Sequence, residues 1–221
     1  MGLYLVIMGV QGAGKGTQAA FIKDAYDIPH ISTGELFRAM KTREDDLARR
    51  VQEILRSGSL VPDEVTNEVL QDRLEQPDAA NGVIFDGYPR NIAQAKWLES
   101  YLAGKGKKLT AALLLELDPY SAFKRAFGRV SSAAGAQYNV YTNSEGLEWK
   151  TVDHPENVFP PRLEVTLKAT GELLNRRSDD EAVAVLKRID TYLDQTAPLI
   201  DFYRGKELLL SVSADQAIAD V

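Results

Sequence analysis

Leu3-Tyr4-Leu5-Val6-Ile7-Met8-Gly9-Val10-Gln11-Gly12-Ala13-Gly14-Lys15-Gly16-Thr17 decides how the rest of the chain reads. An unbroken apolar run that ends at glycines is the pattern of a strand buried on both faces of a parallel sheet. From Thr17 to Ala25 the residues favour a helix. Strand, glycine turn and helix, in that order, form the setting in which a backbone can wrap an anion.

A phosphate group needs several N–H donors converging on it, and glycine lets the chain come close enough to supply them. Gly9, Gly12, Gly14 and Gly16 supply that freedom. The helix turns its positive end to the same anion, and Lys15 adds a mobile charge for terminal phosphates. In the generic pattern Gly-Lys is followed at once by Ser or Thr, whose hydroxyl meets Mg²⁺. Here Gly16 holds that place and the hydroxyl arrives at Thr17. The shift points away from GTPases and motor ATPases.

Further apolar runs read as strands: Val83 to Asp86 after the turn Asn81-Gly82, Ala111 to Leu117, and a weaker one from Leu208 to Val212. Helical patterns lie between them at 32–40, 43–56, 63–75, 91–103, 119–129 and 179–204. Ser32 to Glu35 and Ser178 to Glu181 have capping-box spacing. Asp118 before Pro119 reads as a cap followed by proline at the first helical position. Alternating strands and helices predict a three-layer α/β/α fold with a parallel sheet. The segment from Val130 to Arg176 breaks this rhythm with Gly, Asn, Ser, Thr and Pro and short alternating pieces. A stretch of that length reads as a lid or small subdomain.

Composition bounds the chemistry. With 221 residues, one large domain or a core with smaller excursions is expected. The net charge of −6 argues against a surface that coats nucleic acid. The chain has no cysteine, which excludes disulfides and thiolate metal sites. Leu3 to Met8 is too short for a membrane span and lacks the flanks of a signal peptide, so a cytoplasmic protein is expected. The end of the chain at Val221 reads as abbreviated.

The Gly-Lys-Gly-Thr form of the loop resembles adenylate kinase, and the resemblance extends over almost the whole chain in the family's order. His30 to Arg38, with Ser32-Thr33-Gly34-Glu35, resembles the family's monophosphate-binding segment. Gly58-Ser59-Leu60-Val61-Pro62-Asp63 is similar to the segment that closes that site. Phe85-Asp86-Gly87-Tyr88-Pro89-Arg90, with Gln94 four residues on, resembles its second motif. Arg125-Ala126-Phe127-Gly128-Arg129 resembles the start of the lid, and Arg177-Ser178-Asp179-Asp180 with Arg188 its end.

The resemblance implies a P-loop kinase fold with a central parallel five-stranded sheet, a helical monophosphate-binding insertion and a small β-rich lid. The core would comprise residues 1–31, 62–129 and 177–221, the insertion 32–61 and the lid 130–176. It implies reversible phosphoryl transfer from Mg-ATP to AMP, giving two ADP, by a monomer. ATP would be held by Gly12, Ala13, Gly14, Lys15, Gly16, Thr17, Arg125 and Arg129. AMP would be held by Thr33, Gly34, Arg38, Leu60, Val61, Gly87, Arg90, Gln94, Arg177 and Arg188. Lys15, Arg90, Arg129, Arg177 and Arg188 would be the catalytic set, with Thr17 and Asp86 serving Mg²⁺ through water or nucleotide.

Each assignment makes chemical sense. Phosphoryl transfer asks for alignment and charge neutralisation, and permanently charged, planar arginines suit that task. Arg125 and Arg129, four apart on the predicted helix, are expected to share a face. Arg176 competes with Arg177, and the distance to Asp179-Asp180 favours Arg177. Thr33 and Gln94 go with adenine in the family, which points to AMP over UMP or CMP. Asp179 and Asp180 could simply cap the next helix, and His30 reads as a buried or strand-edge residue. The lid lacks the four cysteines that bind zinc in some relatives, so no zinc is expected. Val130 stands where a second arginine often follows Gly-Arg, and Asp153 to Pro161 reads as an insertion. The alternatives are a pyrimidine monophosphate kinase and a catalytically idle nucleotide-binding protein.

Overall fold

The computed structural model describes residues 2–56, 61–153, 161–177 and 180–221. The chain divides into two compact units. One takes Met1–Gly9, Gly14–Glu116 and Leu193–Val221, and the other Val10–Ala13 with Leu117–Tyr192.

The first unit is built on a five-stranded parallel sheet. Its strands are β1 (Leu3–Met8), β2 (His30–Ser32), β3 (Gly82–Asp86), β4 (Ala111–Glu116) and a last strand at Leu209–Ser213, in the order β2-β3-β1-β4-last. The chain winds from β1 outward to β2 and back through β3, then crosses to the other side of β1 for β4. The strand order therefore reverses at β1, and ligands of such sheets bind outside the strand ends at that place. Four of these strands are apolar runs in the sequence. β2 is only three residues long, too short to show a period, and its pairing with β3 creates it.

Both faces of the sheet are covered, which is why β1 is apolar throughout. Tyr4, Val6 and Met8 pack with Leu70, Leu98, Leu102, Leu199 and Tyr203 in one core. These come from α4 (Asp63–Leu74), α5 (Ile92–Gly104) and a helix at Pro198–Arg204. Against the other face lies α1 (Lys15–Tyr26), which contacts β1, β2 and β3. Between β2 and α4 stand α2 (Thr33–Met40) and α3 (Asp46–Arg56), which share with α4 a small core of Met40, Ala48, Val51, Val65 and Val69.

The second unit joins two helices to a β-rich segment. α6 (Pro119–Phe127) packs on α7 (Ala182–Thr191). Between them in sequence, β5 (Arg129–Ser131) pairs with β6 (Gln137–Asn139), and β7 (Leu147–Val152) with β8 (Arg162–Leu167), both antiparallel. Val130, Val140, Leu147, Leu163, Val165 and Leu174 form the core of this segment. Val130 is 1% exposed there, so a charged residue at this position would be buried.

Three expectations need correction. The helix expected over 119–129 ends at Phe127, and Arg129 opens β5, so Arg125 and Arg129 do not share a helical face. Gly128 makes the break: a Cβ there would lie 2.7 Å from Asn139 Oδ1 and from Tyr141, and its carbonyl accepts from Val140 N–H. The helix expected over 179–204 is two helices, because a π turn at Tyr192–Thr196 and Pro198 interrupt it. α8 (Pro198–Arg204) is thus separate, and the last strand is β9 (Leu209–Ser213).

Ser32 stands at the N-cap of α2 but makes no side-chain cap bond, because it is also the last residue of β2, paired with Asp86. The capping box at Ser178 lies outside the described residues. Asp118 caps α6 as expected, accepting from Tyr120 N–H and Ser121 N–H at 3.0 and 2.9 Å.

Candidate active site

At the end of β1 the chain turns through Gly9, Gly12 and Gly14, all with positive φ. Gly14 is the N-cap of α1 and has no side chain with which to cap the helix's first N–H groups. Lys15 begins the helix and its Nζ donates to the Gly9 carbonyl at 2.8 Å, arching back over the turn. Gly16 has an ordinary φ, and no other atom lies within 4 Å of where its Cβ would be, among the described residues. Neither backbone strain nor internal packing requires glycine there. Thr17 is exposed in the same turn.

A second polar station lies at the end of the neighbouring strand, where Ile7 of β1 pairs with Asp86 of β3. Gly87 follows with φ of +72°, and a Cβ on it would meet Thr33 Oγ1 at 3.0 Å. Thr33 is buried and donates its hydroxyl to the Gly87 carbonyl at 2.9 Å. Arg90 bends back to the same carbonyl through Nε at 2.8 Å and reaches Thr33 Oγ1 at 3.4 Å. Gln94 in α5 is buried, and its Oε1 accepts Arg90 N–H at 2.8 Å. Gly34 and Arg38 in α2 complete this side, with Arg38 exposed and its guanidinium 3.4 Å from where a Gly34 Cβ would be. The structure therefore brings together Thr33, Gly34, Gly87, Arg90 and Gln94. Val61 precedes α4, and Leu60 lies outside the described residues.

Asp86 carries out a structural duty as well. Its Oδ2 is 3.2 Å from His30 Nε2, so His30 is a partner of a site residue rather than only a strand-edge one. Tyr88 is buried below, its hydroxyl donating to Asn67 Oδ1 at 2.6 Å, and burial pushes its phenol far above the ordinary range. Of the residues expected to serve Mg²⁺, Thr17 has an exposed hydroxyl and Asp86 is a carboxylate at the end of β3. No cluster of three or more acidic or histidine side chains occurs among the described residues. A hydroxyl and a carboxylate are oxygen donors of the kind a hard cation such as Mg²⁺ takes.

In the second unit, Gly12 lies against α6, where a Cβ would be 2.7 Å from the Ala122 carbonyl and 3.2 Å from Arg125 Cβ. Arg129 is gripped by Asp180 through two hydrogen bonds of 2.9 and 2.6 Å. Gln11 of the loop donates to the same carboxylate at 3.2 Å. Asp180 reads in the sequence as part of the motif ending the 130–176 segment or as a helix cap; its carboxylate binds Arg129 and is wholly buried.

Arg176 is a structural residue. It donates to the carbonyls of Phe127 and Asp180 at 2.6 and 2.8 Å and lies over the Phe127 ring, and burial lowers its pKa. Arg177 and Arg188 are exposed.

Residues 7–208 match the family model described as adenylate kinase. The adenylate kinase of Moorella thermoacetica is 41% identical over 218 residues, covering 98% of this chain and 93% of that protein. Those of Thermoanaerobacter pseudethanolicus and Listeria innocua are 38% identical over 218 residues, covering 98% of this chain and 93% and 94% of theirs. A loop of this form at the strand-order reversal, a second polar station on the adjacent strand and similarity along nearly the full length lead to one assignment: the chain belongs to the adenylate kinase family.

Proposed function

We propose that this protein transfers the γ-phosphoryl group of Mg-ATP reversibly to AMP, giving two ADP. The observation that carries the reading is the pair of stations on adjacent parallel strands: an uncapped helix N-terminus with Lys15 after β1, and Arg90, Thr33 and Gln94 after β3. One suits a triphosphate and the other a nucleotide whose phosphate meets arginine and whose base meets an amide.

The loop residues Gly12 to Thr17 would bind the donor phosphates, with Lys15 leaving the Gly9 carbonyl to follow the migrating group. Arg38 and Arg90 would hold the acceptor's phosphate, with Thr33, Gly34, Leu60, Val61, Gly87 and Gln94 around its nucleoside. Arg125 and Arg129 are assigned to the donor, and Arg177 and Arg188 to both nucleotides. Mg²⁺, held by Thr17 and Asp86 through water or nucleotide, supplies charge neutralisation when bound. Alignment and electrostatic stabilisation carry such a reaction, and the protein needs no covalent intermediate. Segments 32–61 and 130–176 are assigned as the moving parts over the core, closing to keep water from competing as acceptor.

The enzyme is read as a cytoplasmic monomer whose partners are ATP, AMP and ADP. Among the described residues no helix is long and apolar enough to cross a membrane. The test is ADP formation from ATP with AMP, GMP, CMP and UMP in turn. AMP is expected to be used fastest, and faster use of UMP or CMP overturns the reading. Lys15→Met should remove turnover with folding intact.

A further inference from the structure

Asp63, Asn91 and Gln94 close a hydrogen-bonded triangle beside Arg90. Gln94 Nε2 donates to Asp63 Oδ1 at 2.6 Å, and Asn91 Nδ2 donates to Asp63 Oδ2 at 2.9 Å. The Gln94 backbone N–H donates to Asn91 Oδ1 at 2.9 Å, which is also the cap of α5. At the other end of the Gln94 amide, Oε1 accepts the Arg90 N–H at 2.8 Å. The glutamine is 5% exposed.

A carboxamide presents a donor on one side and an acceptor on the other, and turning it over exchanges them. Here the exchange is opposed at both ends. The turned amide would set its carbonyl against the Asp63 carboxylate and its NH₂ against the Arg90 N–H. Two attractive pairs, one of them charge-assisted, would become two repulsive ones. Asn91 holds the second carboxylate oxygen, so Asp63 is itself fixed in place.

Purine monophosphates differ in the same respect. Adenine carries an amino donor at C6 and a bare acceptor at N1. Hypoxanthine and guanine carry a carbonyl acceptor at C6 and an N–H donor at N1. Each amide end keeps a second hydrogen-bonding position beyond the one used internally. An amide that pairs with adenine must turn over to pair with a 6-oxopurine in the same pose.

We propose that Asp63 is a positioning residue that sets acceptor specificity: it holds the Gln94 amide in one orientation, so that the site reads the adenine pattern and rejects 6-oxopurines. The inference rests on Gln94 facing the acceptor base, as proposed above. Asp63 acts through Gln94. A site built to one hydrogen-bonding pattern discriminates by leaving the wrong base's groups unpaired, and that requires an amide unable to adapt.

The experiment compares kcat/KM for AMP and IMP in the wild type, Asp63→Asn, Asp63→Ser and Gln94→Leu. IMP differs from AMP only along the C6–N1 edge. Both acceptors are measured on one preparation, so the IMP:AMP ratio does not depend on the fraction of folded enzyme. A merely structural role for Asp63 would lower both values and leave the ratio alone.

Asparagine at 63 can serve either amide orientation, and the ratio should rise by on the order of tenfold. Asp63→Ser should move it the same way. Gln94→Leu should bring the ratio toward unity by loss of AMP use. If Gln94→Leu moves the ratio and neither Asp63 variant does, the lock is wrong while the reading of Gln94 stands. If no variant moves it, both fail. A shift from Asp63→Asn that persists when combined with Gln94→Leu also overturns the proposal, because Asp63 would then act by another route.

Discussion

Arg129 holds Asp180 in a two-pronged fork, and the carboxylate it holds is fully buried. Gln11 of the phosphate loop reaches the same carboxylate. One acidic side chain thus ties a loop near the N-terminus to the first residue of β5. Removing it would leave a guanidinium and an amide without their acceptor. Asp180→Ala should lower the unfolding free energy by about 3 kcal/mol, read from urea denaturation. A loss below about 1 kcal/mol would place the pair with ordinary surface contacts.

Gly16 offers a cleaner separation of stability from activity. Its position is helical and open, so alanine should be tolerated by the fold and raise stability by about 0.5 kcal/mol. If a donor phosphate lies where the methyl would go, turnover should fall on the order of a hundredfold. Thermal melts and an ADP assay on the same sample decide, and unchanged turnover would remove Gly16 from the donor site.

The adjacent arginines should part company. Arg176→Ala removes donors to two main-chain carbonyls and a cation over the Phe127 ring. It should cost about 2 kcal/mol of stability. Arg177→Ala, at an exposed position, should leave stability within about 0.5 kcal/mol. Its kcat/KM should nevertheless drop by on the order of a hundredfold if it serves the transferred group. Stability loss in the second variant and catalytic loss in the first would reverse the assignment.

The cap of α6 gives a pH dependence with a definite sign. Hydrogen bonds from Ser121 and Tyr120 hold the Asp118 carboxyl below its ordinary pKa. A group depressed in the folded state contributes stability above its unfolded value, near about 4, and loses it as pH falls through the folded value. Asp118→Asn can still cap but cannot titrate. The melting-temperature difference between wild type and this variant should therefore be largest near neutrality and shrink in acid. A difference constant from pH 7 to pH 3 would contradict the cap's charge dependence.

Much of the fold was legible because its signals are local. β1, β3, β4 and β9 declare themselves as apolar runs, and the glycines after β1 specify a turn that few other residues could make. Asp118-Pro119 marks a helix start within two residues. The loop, the second motif and the flanking arginines could be picked out for the same reason, since each is a short string of residue types at fixed spacing.

Tertiary structure decided the rest, because it depended on partners distant in sequence. β2 exists through pairing with β3, and Arg129 belongs to a strand because it pairs with Asn139 of β6. Val130 is buried because the β-rich segment folds its apolar side chains into a core of their own. Which of two adjacent arginines is structural depended on where the Phe127 and Asp180 carbonyls lay. The sequence names Gln94 as a candidate base reader. Only Asp63 and the Arg90 N–H, brought to its two ends by folding, determine which way its amide faces. Residue types and short spacings are written along the chain, whereas the direction of a hydrogen bond is settled only when both partners are in place.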